Sequence, residues 1–440
     1  MFDRLVPPAL ADNALQKLRQ QDVQPGAIVA WLGHNSWDML ATLVACERIG
    51  AVLLPLNGRL AAVELSRIVQ HAGAGHLMGT PDAEKLAAKV WAIAPLQAGP
   101  AEGVQSGDLL LVYTSGTTGA PKGAMHTGAA LQAGVLAAID AQRLDAQSRV
   151  LSVLPLFHVG GLCIQTLPAL ALGAKVRLQP RFDADTWFDA VATWRPTTTL
   201  LVPAVMKALI DHPRWAGADL SSLAFVNSGS QVVPRALIDA FHARGVPVAQ
   251  VYGATETGPV SIVLKPDEAV GHVGMAGRPA LGVQCRLAVD GEILLKAPNM
   301  MRGYHRSSEP SFDADGWFHT GDLALQHEGG FIEVVGRKTD LIISGGENIH
   351  PAEIEQLVAA MFGVAACAVV GLADERWGEV PVLVVVRQPG QSVDAADILA
   401  ALAQRLARFK LPRRVVFMAS LPTTALGKVA RAELRQRLVG

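Results

Sequence analysis

The chain has 440 residues, 50% hydrophobic and 18% charged, a composition that buries a large core and excludes a disordered protein. Its 38 Lys and Arg against 39 Asp and Glu leave a net charge of −1, so no overall field favours nucleic acid or an anionic membrane surface. In chain order, short apolar runs alternate with helical patterns: strand over residues 27–32, helix 37–49, strand 51–55 and helix 62–71. The rhythm returns in runs at 149–154, 174–178, 198–202 and 224–227 and in helix-compatible residues at 234–244. This alternation predicts parallel strands in one large layered α/β body extending past residue 300. The pattern restarts after Gly336 with strand 341–344, helix 351–361, strands 366–372 and 381–387 and helix 394–406, a compact α+β unit. The expected division is therefore a large domain over 1–338 and a small one over 339–440.

Cys46, Cys163, Cys285 and Cys367 are far apart and form no C-x-x-C pair, which predicts reduced, buried thiols. The apolar stretch 151–174 is interrupted by Pro155, His158, Gly160, Gly161 and Pro168, so it reads as buried strand, loop and helix and predicts no membrane insertion. The first residues lack a basic segment followed by an apolar one and a cleavage site, so a cytoplasmic protein is expected.

The run Tyr113-Thr-Ser-Gly-Thr-Thr-Gly-Ala-Pro-Lys-Gly123 directly follows the apolar residues 109–112. A strand thus delivers a loop in which glycines allow close backbone approach, hydroxyls and N–H groups can hold phosphate oxygens, and Lys122 supplies charge. It is not a Walker A loop, because Pro121 stands where glycine is needed and Gly123 where Ser or Thr is needed. Taken alone, the run reads equally well as a polar surface loop.

This run resembles the signature loop of the adenylate-forming acyl-CoA synthetases, and further motifs of that family follow in order. They are Leu154-Pro-Leu-Phe-His-Val-Gly160, Tyr252-Gly-Ala-Thr-Glu-Thr-Gly258, Gly316-Trp-Phe-His-Thr-Gly-Asp322, Gly336-Arg-Lys-Thr-Asp-Leu-Ile-Ile-Ser-Gly-Gly-Glu-Asn348 and Pro422-Thr-Thr-Ala-Leu-Gly-Lys428. Residues 344–355 and Ala373-Asp-Glu-Arg-Trp-Gly378 are most similar to chlorobenzoate-type aryl-CoA ligases, and medium-chain acyl-CoA ligases share the motifs. The resemblance implies a large layered N-terminal α/β domain and a small mobile α+β C-terminal domain.

Acyl activation moves charge from an attacking carboxylate to departing pyrophosphate, so the site needs donors and cations aimed at phosphate oxygens. By resemblance, Thr114, Ser115, Gly116, Thr117, Thr118, Gly119 and Lys122 hold ATP phosphates, and Glu256 beside Thr255 is the Mg2+ ligand. Asp322 takes both ribose hydroxyls, Arg337 makes a second ribose or phosphate contact, and Tyr252 and Gly253 lie against adenine opposite Gly229, Ser230 and Gln231. Lys428 reaches the carboxylate and α-phosphate during adenylation. His158 gates the acid pocket, which it lines with Val159, Gly160, Gly229 and Ala254. Trp377, Phe409 and Arg413 contact CoA, and Gly345 and Gly346 let pantetheine pass close to the backbone. Without the motif, Glu256 reads as a solvated loop acid and Tyr252 and His158 as core residues.

The chain departs from the pattern in two places. The family's additional first elements, one to two helices and a strand, have no counterpart before Gln24, so either they are dispensable or the true start lies upstream. The hinge position, usually Asp or Lys, is Thr339. The resemblance implies an ATP-dependent carboxylate:CoA ligase working through an acyl-adenylate on an aryl or medium-chain monocarboxylic acid, and leaves a homodimer open. Two alternatives remain: an adenylation module that loads a carrier protein, and a nucleotide-binding protein without turnover. Residues 156–178 contain no acidic anchor for a substrate ammonium, which argues against an amino-acid substrate. Retention of Lys122, Glu256, Asp322 and Lys428 argues against loss of turnover.

Overall fold

The computed structural model describes residues 5–94, 99–114, 122–344, 347–424 and 428–439. Contacts group the chain into two compact units. The first runs to Ser230 and includes Ala240–Cys285 and Leu295–Phe318; the second comprises Gln231–Asp239, Arg286–Leu294 and the chain from His319 on.

In the first unit the alternation of strand and helix builds two sheets. One has the order Gly303–Tyr304, Lys122–Thr127, Asp108–Thr114, Val52–Leu56, Ile28–Leu32, His76–Gly79. Its last four strands are parallel, and Asp108–Thr114 and Lys122–Thr127 form an antiparallel hairpin. Successive side chains of a strand face opposite ways. Val29, Trp31 and Leu53 therefore enter one core with the helices Pro8–Gln20 and Trp37–Ile49, while Ile28, Ala30, Val52 and Leu54 enter another with Ala62–Ala72 and Glu84–Ile93. Helices on both faces are what a continuously apolar parallel strand requires. Ser36 starts Trp37–Ile49 by accepting the Met39 N–H at 3.2 Å, and Gly50 ends it at φ 80°, where a Cβ is unfavourable.

The other sheet has the order Arg278–Pro279, Ile262–Leu264, Val248–Tyr252, Phe225–Gly229, Thr198–Leu201, Arg149–Ser152, Lys175–Leu178. It is parallel from Val248–Tyr252 onward. The stretch after Ser152 is loop and helix, as its sequence implies, but the helix opens with a π-helical segment, Gly160–Thr166, in which Thr166 Oγ1 donates to the Gly161 carbonyl at 2.7 Å. Apolar periodicity carries no sign of such a segment, because i and i+5 lie on no common stripe of an α-helical pattern.

Asp108, fully buried at its side chain, accepts two hydrogen bonds from Arg302, Nε at 2.9 Å and Nη2 at 2.8 Å. Removing one partner of such a pair strands a buried charge. Arg302→Ala is therefore expected to destabilise the folded protein by about 3–5 kcal/mol. Denaturant unfolding measures it, and a loss no larger than that of an exposed ion pair would contradict the assignment.

In the second unit Phe318–Gln326 pairs antiparallel with Ile332–Arg337. Farther on, the long strands Val364–Asp374 and Gly378–Arg387 form an antiparallel ladder, extended by Arg414–Phe417 in parallel. Val369, Leu383 and Val385 face the helices Pro351–Ala359 and Ala395–Ala403, whereas Ala368, Val370 and Val384 face Leu434 of Arg431–Val439. The α/β class and the large-plus-small organisation hold. The thiols are unpaired; Cys46 and Cys163 are buried as expected, but Cys285 and Cys367 are only partly so. Among the described residues no helix is long and apolar enough to cross a membrane.

Candidate active site

The hairpin ladder places Thr114 opposite Lys122, so the two ends of the phosphate-loop motif are pinned side by side. Ser115, Gly116, Thr117, Thr118 and Gly119 lie outside the described residues, as do Gly345 and Gly346. Thr114 Oγ1 donates to Glu256 Oε1 at 3.2 Å across a sequence separation of 142 residues. Tyr304, whose strand pairs with Lys122–Thr127, donates its phenol to the same oxygen at 3.0 Å. Lys122 Nζ stands 5.3 Å from the centre of the Tyr304 ring. Burial, and then the charge of Glu256, push the Tyr304 hydroxyl well above its ordinary range, so it stays a donor. Both bonds fall on Oε1. Among the described residues Oε2 receives none, which suits a hard cation that one carboxylate shares with phosphate oxygens and water. No cluster of three metal-ligating side chains occurs among the described residues. With both hydrogen bonds on Oε1, Glu256 fits magnesium as a single-carboxylate ligand.

The loop carrying Glu256 is tightly built. The Met301 N–H donates to the Glu256 carbonyl at 2.9 Å, and Thr257 Oγ1 accepts the Ala254 N–H at 2.9 Å. Asn299 Nδ2 donates to the carbonyls of Thr257, Gly258 and Val260 at 3.2–3.3 Å. The Thr255 carbonyl closes a turn with the Gly258 N–H at 3.3 Å.

Gly229 and Tyr252 end two adjacent parallel strands, the edge at which open α/β sheets bind ligands. A Cβ on Gly229 would collide with the Val251 carbonyl, and one on Gly253 with the Pro259 carbonyl, so only glycine fits either place. Ser230 follows at φ 71°, a left-handed conformation that a serine holds only under constraint. Gln231 is exposed. His158 sits half-buried in the turn before the π-helical segment, its ring 4.5 Å from that of Phe157. Gly160 places its missing Cβ 4.0 Å from Ser230 Oγ, so the histidine motif and the Gly229–Ser230 strand end meet. The turn depends on Gly161, whose Cβ would run into the carbonyls of Leu154 and Pro155.

In the second unit Asp322 and Arg337 face each other in register, Arg337 Nε lying 2.8 Å from Asp322 Oδ1. Trp377 lies beneath two guanidiniums, Arg376 at 5.0 Å and Arg413 at 5.7 Å from its ring centre, a flat cationic surface suited to anions. Phe409 is 41% exposed beside Lys410. Thr339 occupies the single turn Lys338–Asp340. Lys338 binds Asp290 at 2.6 Å and Glu292 at 3.1 Å, and Asp340 is paired with Arg435 at 3.5 Å. Lys428 is exposed at the end of a short hairpin, its carbonyl accepting the Thr424 N–H at 2.7 Å.

Tyr304 was not found from the sequence. Its signal would have been Arg302-Gly303-Tyr304, whose arginine is paired with Asp108 and so anchors the tyrosine beside the loop.

The chain matches the model of the AMP-binding enzymes over residues 9–305 and that of their C-terminal domain over 353–428. It belongs to this family. Its relatives include an indoleacetate–CoA ligase of Aromatoleum aromaticum, 44% identical and covering 97% of this chain and 91% of the relative. A feruloyl-CoA synthase of an Amycolatopsis species is 40% identical, covering 96% of this chain and 90% of the relative. Among solved structures, the o-succinylbenzoate CoA synthetase of Bacillus subtilis in complex with its acyl-adenylate intermediate superposes with a TM-score of 0.86. That pair is 29% identical over 97% of this chain and 92% of the other.

Proposed function

We propose that this AMP-binding enzyme is an ATP-dependent ligase joining an aryl monocarboxylic acid to CoA. The observation that carries the reaction class is the convergence of Thr114 and Tyr304 on one oxygen of Glu256, with Lys122 paired to Thr114 and lying against the Tyr304 ring. The reaction runs in two steps, first to an acyl-adenylate and then to the thioester. Glu256 would hold Mg2+, which supplies charge neutralisation on the phosphates. Lys122 and Thr114 bind phosphate oxygens, Asp322 and Arg337 the ribose, and Trp377 and Arg413 the CoA. His158 borders the acid. The small domain, taken as 339–440, would turn about Thr339 between the two steps, using a few loop dihedrals.

The acid is read as aryl because His158, Val159, Gly160, Gly229 and Ala254 offer no ionised anchor, and because both curated relatives above act on aromatic acids. Purified protein given a panel of acids, with pyrophosphate and thioester measured separately, is expected to prefer arylacetates or cinnamates over malonate, succinate and amino acids. The highest kcat/KM on a dicarboxylate would overturn this.

A separate expectation concerns ATP alone. Asp322→Asn removes a charged acceptor for ribose, an interaction of about 1.5–3 kcal/mol, so the Kd for ATP should rise roughly 10- to 100-fold by calorimetry. An unchanged Kd would contradict the role.

A further inference from the structure

Beneath the acid-pocket residue Val159 lies a small cavity whose vacant core is about the size of one water molecule. His126 enters it from the strand Lys122–Thr127, Gly134 from the helix Gly128–Gln142, Cys163 from the π-helical segment, Gly258 from the loop that carries Glu256, and Asn299 from the turn after the strand Glu292–Lys296, which is hydrogen-bonded to that loop. None of its lining residues is acidic or bears an ammonium or guanidinium group.

Two of these side chains carry polar atoms without a hydrogen-bond partner of acceptable geometry among the described residues. His126 is 1% exposed, and neither ring nitrogen has a hydrogen-bond partner of acceptable geometry among the described residues. The Thr255 backbone lies near enough to favour the protonated ring, yet burial outweighs it and pushes the imidazole down to about 4, so the ring is neutral near pH 7. Asn299 is 3% exposed. Its amide nitrogen is committed to three carbonyls, which fixes the orientation and leaves Oδ1 as the atom without a partner. Buried polar groups are rarely left unmatched, and two of them on one vacant space call for an occupant.

A neutral imidazole presents one donor and one acceptor, and Asn299 Oδ1 only accepts. A hydroxyl can accept from the imidazole N–H and donate to the amide oxygen, satisfying both at once. An ionised group would lose its hydration with no counter-charge in the lining. A second aromatic ring would not fit. We propose that this cavity is the far end of the acid pocket, where His126 and Asn299 select an aryl acid bearing an uncharged hydroxyl remote from its carboxylate. This rests on the ligase reading above and narrows its substrate class.

The test compares matched acids, 4-hydroxycinnamate with cinnamate and 4-hydroxyphenylacetate with phenylacetate, by kcat/KM for thioester formation. Wild type is expected to favour the hydroxylated member of at least one pair by about tenfold or more, since a site built to bind a hydroxyl rejects the analogue lacking it. His126→Leu, similar in volume, should bring that ratio close to one, partly by improving the unsubstituted acid. Gly134→Ala offers a second route. Its Cβ would point at Asn299 Cβ, 3.6 Å away, and Gly258 O, 3.9 Å away, without clash, so it should fold, shrink the cavity and raise KM for the hydroxylated acid while kcat changes little. Equal use of both members by wild type, as when the cavity holds only a structural water, would overturn the proposal and leave the ligase reading intact. So would an unaltered ratio in both variants. Thioester formation with no aryl acid at all would overturn both readings.

Discussion

Replacing Lys428 by alanine is expected to slow acyl-adenylate formation by about 10²–10³-fold, the usual effect of removing one group aimed at charge that develops in the transition state. Lys428 is exposed beside the Thr423–Val429 bridge, so truncation should not disturb the core. Lys428 is assigned to the first half-reaction, in which the carboxylate attacks the α-phosphate and pyrophosphate leaves; in the second the thiol attacks the acyl carbon and AMP leaves with the charge on its phosphate, a step in which the turned small domain would carry Lys428 away. Thioester formation from supplied acyl-adenylate should therefore run close to the wild-type rate. Single-turnover measurements of pyrophosphate and of thioester separate the two steps. Equal losses in both would remove Lys428 from its assigned place.

Glu256→Gln should cost about as much in the same step, roughly 10²–10³-fold, and for a different reason. The amide keeps the shape and can still accept from Thr114 and Tyr304, but it lacks the charge that a hard divalent cation requires. The Mg2+ concentration giving half-maximal rate should rise, and calorimetry should show ATP binding less dependent on Mg2+. Tyr304→Phe is the companion measurement. It removes one hydrogen bond to an ionised carboxylate and leaves the charge, so its effect should be about the 1.5–3 kcal/mol of such a bond, roughly 10- to 100-fold. A glutamine variant with the wild-type Mg2+ response would show that the metal is held elsewhere.

Local order of elements was readable before any coordinates. The apolar runs at 27–32 and 51–55 became the parallel strands Ile28–Leu32 and Val52–Leu56, because a continuously apolar strand is stable only when both faces are covered. The strands at 366–372 and 381–387 proved longer, Val364–Asp374 and Gly378–Arg387, since pairing in a ladder extends a strand through polar residues that periodicity excludes. The division of the first unit's strands between two sheets could not be read from their spacing. Periodicity reports how one segment is buried, not which segment it pairs with.

For the site, the motif residues were legible because glycines, a lysine and single carboxylates at fixed spacing serve phosphate chemistry wherever they occur. The sequence by itself thus determined the α/β class, the order of the motifs and the family. Only tertiary structure decided that Thr114 and Tyr304 share one oxygen of Glu256, that Trp377 lies under Arg413, and that His126 and Asn299 meet at one cavity. The difference is physical: backbone preference and apolar spacing act between near neighbours in the chain, whereas these contacts join side chains far apart in sequence, whose meeting depends on the packing of whole sheets and helices.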